Sequence, residues 1–303
     1  MADIIFDLRK QLHETWSNRN RIGIQGSMST SNISSGFQNL DRVVGGFRPS
    51  ELIVLGGRSD MGLPALAFNM LECVASGQAM GKSPPQGDDI RQHPVAFFAT
   101  EKTGALFAQR MICSHAGVSL KKIRSGFICA EDAEEKITLS TNYLRQLPVF
   151  LNIIKGNDMT VIKHRIKSLK RQHGIEFVVF DYIQMFHHFL FSHQGRVHEL
   201  AAIAKSMKKM AVDNNIPVLV LSHITYPYKQ HDKPTLSDFW NSDAIVQEAN
   251  KVLLIRRPCK NPYDAEYPDK DLAIVDVAKN VSGSTGEVRL NFDEEINRFT
   301  DRP

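Results

Sequence analysis

The stretch that decides the fold is Leu52-Ile53-Val54-Leu55-Gly56-Gly57-Arg58-Ser59-Asp60-Met61-Gly62-Leu63-Pro64, followed by the helical pattern of Ala65 to Ala75. An apolar run ending in glycines reads as a buried strand, and the change to helical periodicity reads as the helix leaving it. Gly57 and Gly62 hold the two glycine places of the phosphate-loop pattern G-x-x-x-x-G-K-[ST]. In such a loop inward-pointing backbone N–H groups hold phosphate oxygens at a helix N-terminus. The lysine reaches the terminal phosphates and the hydroxyl residue holds Mg2+. Here Leu63 stands at the lysine's place and Pro64 at the hydroxyl's. Proline is tolerated in a first helical turn. The loop's shape is therefore expected to survive, without the charge and without the metal-holding oxygen.

Two glycines at this spacing are weak evidence alone, so the neighbouring segments decide. Short apolar runs recur at Val95–Phe98, Val149–Ile154, Phe177–Phe180, Val218–Leu221, Val252–Ile255 and Leu272–Val277, and Glu287 to Phe292 begins a terminal pair. Helical patterns separate several of them, at Gly104–Ala116, Met159–His173 and Glu199–Val212. Continuous apolar strands alternating with helices predict a mostly parallel sheet covered on both faces. The segment Gly81 to Asp89 reads as a turn-rich surface loop.

Two strand ends carry acids. Glu101 follows the second strand, where a carboxylate beside a phosphate loop can orient an attacking water. Asp181 follows Phe177-Val178-Val179-Phe180, the usual place of the magnesium-side acid. Singly, each reads first as a solvated strand-end acid; together and in this order they favour a nucleotide site. Lys102 is a less favoured substitute for the missing lysine.

Upstream, Ile4, Ile5, Leu8, Leu12 and Trp16 form one apolar stripe on a helix from Asp3 to about Asn18, and Gly26 to Asn32 reads as a flexible linker. The expected division is a linker helix in 1–26 and a main domain in 27–303. The helix lies either on its own domain or on a neighbouring subunit.

The chain has 303 residues, 42% hydrophobic and 23% charged, which suits one α/β domain with a short extension. Its net charge of +4 is compatible with nucleic acid without showing it. Cys73, Cys113, Cys129 and Cys259 form no C-x-x-C pair and read as reduced thiols. No apolar run approaches a membrane span, and the first ten residues, with Asp3 and Asp7, do not read as a signal peptide. A cytoplasmic protein is expected.

The order and wording of the segments from about Ile33 to Asp301 resemble the C-terminal motor domain of DnaB-type replicative helicases. Ser35-Gly36-Phe37-Gln38-Asn39-Leu40-Asp41 and Gly45-Gly46-Phe47-Arg48-Pro49-Ser50-Glu51-Leu52 are similar to the family's lead-in to its phosphate loop, and Arg58 to Gly62 to the loop itself. Glu101 falls on the catalytic glutamate, Ile123-Arg124-Ser125-Gly126 on a helix-to-loop segment, and Asp181-Tyr182-Ile183-Gln184 on the end of the Walker B strand. Arg196, Glu199, Ile203, Lys205, Met207 and Lys208 follow the next helix, Leu221-Ser222 the next strand, and Phe299 and Asp301 the terminus. The resemblance implies a RecA-like fold, an ATP/Mg2+ site and a ring of subunits around single-stranded DNA. A RecA-like recombinase is the neighbouring alternative.

The departures carry as much meaning. His223 stands where the family has a nucleotide-sensing Gln, and Trp240 where it usually has an Arg. Lys279 is present in the finger segment, but Val281 occupies the place of the arginine finger. The collar domain that the family places before its linker helix is not expected in this chain. A finger alone contributes roughly 10³ to 10⁵ in rate. The resemblance therefore implies a protein deficient in ATP hydrolysis, with Glu101 and Asp181 vestigial, serving as a structural, regulatory or DNA-binding ring or partner subunit. The alternative is an active helicase with an unusual loop. Whether the chain is an enzyme stays open at this stage.

The expected nucleotide contacts are Gly57, Arg58, Ser59, Asp60, Met61, Gly62, Leu63, Pro64, Gln184, His223 and Lys279. ATP/Mg2+ is expected only if the altered site still binds it. Single-stranded DNA is the candidate second ligand, at Arg196, Lys205 and Lys208 and along Phe186-His187-His188-Phe189-Leu190-Phe191-Ser192-His193-Gln194-Gly195-Arg196. The phenylalanines of that stretch read first as core. Zinc at His187, His188 and His193 is disfavoured, because their spacing fits no standard site. Lys163, Arg165, Lys167, Lys170 and Arg171 read first as a solvated helix face. The expected protein partners are copies of the chain or a helicase-like protein, and no membrane.

Overall fold

The structure, a computed structural model, describes residues 32–80, 91–99, 101–125, 130–153, 158–224, 233–239, 243–261, 264 and 266–303. Of 101–103, 105 and 130–132 it describes the backbone alone. The helix expected at Asp3–Asn18, the linker up to residue 31 and the loop expected at Gly81–Asp89 lie outside these residues, as do Cys129 and Trp240. The chain divides into two compact units, Met1–Asn32 and Ile33–Pro303.

The second unit begins with α1 (Gln38–Val44), β1 (Leu52–Gly57), α2 (Leu63–Ser76) and β2 (Val95–Ala99). Then come α3 (Glu101–Ala116), α4 (Leu120–Arg124), α5 (Ala130–Leu144), β3 (Val149–Ile153), α6 (Met159–His173) and β4 (Phe177–Tyr182). The chain continues through α7 (Arg196–Asn214), β5 (Val218–His223), α8 (Asp243–Glu248) and β6 (Lys251–Arg256). It ends in β7 (Leu272–Asn280), β8 (Gly286–Asp293) and β9 (Arg298–Asp301). One sheet runs in the order β3-β2-β4-β5-β1-β6-β7-β8-β9. The pairs from β3 to β6 are parallel and those from β6 to β9 antiparallel.

Strand alternation explains the two cores. Successive side chains point to opposite faces, so Phe97 and Phe98 part company. Phe97 joins Phe68 and Phe107 in a cluster beneath α2 and α3. Phe98 stacks on Phe180, which meets Phe186 edge-on, beneath α6 and α7. Burying each such ring is worth roughly 1.5–3 kcal/mol before entropy. The expectation of a parallel sheet covered on both faces holds.

At the opposite end of β1 from the glycine loop, Glu51 and the wholly buried Lys251 form an ion pair. Lys251 also donates to the Gly46 carbonyl at 2.9 Å, and Ser282 Oγ donates to Glu51 Oε1 at 3.0 Å. This network ties the turn after β7, where Val281 lies, to the start of β1.

Candidate functional site

β1 sits inside the sheet between β5 and β6, and its C-terminal end opens into the glycine loop. Ligands of open α/β sheets bind at the carboxyl ends of the strands, and that is where the loop lies. Gly62 has φ +83°, and a Cβ there would come within 2.9 Å of Phe299 and 3.1 Å of Phe292. Only glycine meets both demands. α2 starts at Leu63 with Pro64 in its first turn, as the sequence implied.

Loop and strand ends enclose a cavity of about 410 Å3, lined by Arg58, Ser59, Asp60, Gly62, Leu63, Pro64, Ala65, Arg110, Tyr182, His223, Arg257, Phe292, Glu294 and Asn297. The size suits a small ligand. Leu63 lines it but is 1% exposed and belongs to the core packed against α2. Pro64 brings no hydroxyl. The strand-end acid Asp181 is buried at the end of β4. The place from which such a loop holds magnesium therefore carries no oxygen, and the oxygen-bearing side chains of the lining are Ser59, Asp60, Glu294, Tyr182 and Asn297.

The charged walls are largely committed. Arg58 faces Asp238 at 3.5 Å, both nearly buried, and Asp238 also accepts from the Thr235 N–H at 3.0 Å. Arg257 donates to Glu294 Oε2 at 2.8 Å and to the Lys270 carbonyl at 3.1 Å, with its guanidinium 4.7 Å from the centre of the Phe292 ring. Burial pushes the Tyr182 hydroxyl well above its ordinary pKa, helped by Asp181. Burial pushes His223 down, with Asp181 opposing the shift.

Several expected site residues therefore meet at one cavity: Arg58, Ser59, Asp60, Gly62, Leu63, Pro64 and His223. Gln184 stands beside it as a clamp. Its Nε2 donates to Ser222 Oγ and to the His223 carbonyl, both at 3.0 Å, and its Oε1 accepts from the His223 N–H at 3.3 Å. Gly57 and Met61 belong to the strand end and loop. Glu101 opens α3, two positions past the end of β2. Lys279 is elsewhere: its Nζ donates to the Val246 and Gln247 carbonyls, at the end of α8.

Sequence reading missed Arg110, Arg257, Glu294 and Asn297. Arg257 was marked only by its place just past a strand, and Arg110 only by its place on α3. Glu294 and Asn297 come from the turn between β8 and β9, which no local pattern connects to the loop.

The expected DNA residues divide. Arg196 donates to the Gln184 carbonyl at 2.6 Å, the Phe186 carbonyl at 3.1 Å and Glu199 Oε2 at 2.6 Å, fastening the loop to α7. Lys208 donates to the Ser50 carbonyl at 2.9 Å and Asn250 Oδ1 at 2.8 Å. Lys205 is exposed. Phe186 is core, as expected, but Phe189 is 78% exposed. Glu199 and Asp158 fix the loop, accepting from the His188 and Phe189 N–H groups, each at 3.0 Å. On α6, Arg165 and Lys170 bond to Asn152 and the Ile175 carbonyl, while Lys167 and Arg171 are solvated. Among the described residues no three His, Cys, Asp or Glu are placed to hold a metal, and no helix is long and apolar enough to cross a membrane. Cys73, Cys113 and Cys259 are free thiols.

Residues 32–301 match the family model of the DnaB-like helicase C terminal domain. Over 269 residues the chain is 27% identical to the replicative DNA helicase DnaB of Geobacillus stearothermophilus, covering 88% of this chain and 56% of that protein. Over 324 residues it is 28% identical to the replicative DNA helicase DnaB of Rickettsia prowazekii, covering 97% and 66%. The chain thus spans about half to two thirds of the length of these relatives. Among solved structures, an isolated ATPase domain superposes with a TM-score of 0.82 at 21% identity, covering 100% of both chains. A DnaB-like replicative helicase, described with its interactions with primase, gives 0.83 at 21% identity over 99% of this chain and 68% of that one. The RadB recombinase gives 0.53 at 16% identity over 89% of this chain and 100% of that one. The architecture is the RecA-like α/β fold.

Proposed function

The chain belongs to the DnaB-like helicase C-terminal domain family, and from that premise we propose that it acts in DNA replication or recombination as a non-hydrolysing, helicase-like subunit. It keeps the nucleotide cavity of a motor domain without the groups that drive turnover. The observation that carries this reading is Leu63, packed into the core where the resembling helicases present a lysine. Pro64 and Val281 extend it, since hydroxyl and finger are absent as well. Transition-state charge in phosphoryl transfer is stabilised by such groups and by little else.

The assembly proposed is a homo-oligomer, or association with a helicase-like protein, in the cytoplasm. The helix expected at Asp3–Asn18 docks on a neighbouring subunit. Single-stranded DNA is the proposed polymer ligand, with Lys205 and the exposed ring of Phe189 as contacts, because Arg196 and Lys208 are engaged within the chain. A second reading, an active helicase with an unusual loop, draws on the intact cavity and on Asp181 at its strand end. Phosphate release from ATP, measured with and without single-stranded DNA, separates the two. The proposal expects no release above background, and turnover at a helicase's rate would sink it.

A further inference from the structure

Of the three arginines that line the cavity, two are paired: Arg58 with Asp238, and Arg257 with Glu294. Arg110 has no hydrogen-bond or ion-pair partner among the described residues, although its charge is felt by Tyr182 across the cavity. It projects from α3, half-buried, at the junction of the loop cavity and a groove of about 1160 Å3 that it also lines with Lys121, Lys122 and Arg124. An uncommitted guanidinium on a partly desolvated wall lacks the anion its geometry suits.

We propose that Arg110 supplies the cation that position 63 does not, so that the cavity grips the phosphate chain of a nucleotide without a metal ion. This rests on the reading of the cavity as a nucleotide site and goes further by naming the residue and the metal independence. Charge balance supports it. Leu63 removes a positive group and Pro64 removes a metal-holding oxygen, so the anion's charge has to be met from another wall. The facing charged groups are Arg58, Asp60, Arg257, Glu294 and His223. Asp60, exposed at the loop's apex with φ +64°, opposes an anion, and solvent screens it more than the cavity wall screens Arg110.

The test is calorimetric titration of the full chain with ATP and with inorganic pyrophosphate, each in Mg2+ and in EDTA. Wild type is expected to bind both, with affinity in EDTA within about threefold of that in Mg2+, because Pro64 offers no hydroxyl to hold the ion. Arg110→Gln is expected to weaken binding by roughly tenfold or more and Arg110→Lys to retain most of it. Asp60→Asn is expected to strengthen it. Unchanged binding in Arg110→Gln overturns the role of Arg110 and leaves the nucleotide reading standing. Binding lost in EDTA overturns metal independence. No binding of either ligand by wild type overturns both the proposal and the reading beneath it. Circular dichroism of each variant confirms that a loss is not a loss of fold.

Discussion

Tyr182 and His223 lie face to face, with ring centroids 3.5 Å apart and planes 8° from parallel. The stack joins the ends of β4 and β5. A bulge between Phe180 and Tyr182 sets Tyr182 opposite Leu221, bringing its ring under the residue after Ser222. Gln184 then fixes the His223 backbone from both sides. A residue that the resembling helicases use as a sensor is thus, in this chain, the lid of an aromatic pair.

That arrangement predicts energetic coupling. A double-mutant cycle with Tyr182→Ala and His223→Ala, read by urea unfolding, is expected to give about 0.5–1.5 kcal/mol of coupling. Additive single effects would show that the stack stabilises nothing.

The buried pair of Lys251 and Glu51 predicts an asymmetric response. Burial lowers the pKa of Lys251 while Glu51 pulls it back up. Lys251→Met leaves Glu51 with Ser282, the Arg48 N–H and the more distant charge of Lys208 but without its paired cation, and is expected to cost about 3–5 kcal/mol. Glu51→Gln combined with Lys251→Met removes both charges and is expected to cost less than either single change. A double variant that is the least stable of the three would contradict this.

Glu72 gives a pH prediction. Burial on the packed side of α2 raises its carboxyl to about 7, with Arg298 pulling in the other direction. Its neighbour His115, whose Nε2 lies 3.9 Å away, is pushed down by burial and by Arg298. The folded chain therefore holds a proton on Glu72 that the unfolded chain gives up near 4.5. The stability linked to this group is complete below that value and is lost as pH rises towards 7. Glu72→Gln cannot lose a proton, so its melting temperature relative to wild type is expected to climb between about pH 5 and pH 8. The gain is on the order of 2–3 kcal/mol at the upper end. Carboxyls with lowered pKa values, such as Glu199 and Asp158, act in the opposite direction in both proteins and cancel in the difference. A difference that stays flat with pH would refute the assignment.

The sheet was legible because its strands are buried on both faces and so read as unbroken apolar runs. Leu52 to Leu55 and Phe177 to Phe180 are clear examples, and each strand extends about two residues further than its apolar run. The short helix α8 was not, since six residues hold too little periodicity to register, and of the five-residue α4 only the end at Ile123–Arg124 was marked, through the resemblance. α5 escaped too, although it has fifteen residues. The loop of the site was legible from two glycines in a strand-to-helix setting. Its walls were not, because Arg110, Arg257 and Asn297 meet only through the topology. Nor could sequence show that Arg196 and Lys208 are engaged within the chain. A basic residue on a helix looks the same whether it meets solvent or a carbonyl.

Repair of the site requires changes in two separate places. Leu63 and Pro64 belong to the loop, whereas Val281 lies in the turn after β7, 67% exposed, with its N–H bonded to the Asn250 carbonyl. The turn is held by Asn280, whose Oδ1 accepts from the Ser282 N–H at 3.2 Å, and by the bond from Ser282 to Glu51. Val281→Arg changes only an exposed side chain on a fixed backbone and is expected to shift stability by no more than about 0.5 kcal/mol. Leu63→Lys removes an apolar side chain from the core and is expected to cost roughly 2–4 kcal/mol, reduced if the lysine's stem covers the same surface while its amine enters the cavity. Leu63→Lys with Pro64→Thr is expected to tighten binding of ATP in Mg2+ while hydrolysis stays far below a helicase's rate. The finger acts across a subunit boundary in the resembling family, so repairing the loop alone leaves the transition state without it. Only the triple variant with Val281→Arg is expected to release phosphate well above background, and only at concentrations where subunits associate. Vigorous hydrolysis by the loop variant alone would show that Val281 is not a second lesion. A triple variant that binds ATP, assembles and still releases no phosphate would place the missing chemistry elsewhere, with His223 the first residue to change.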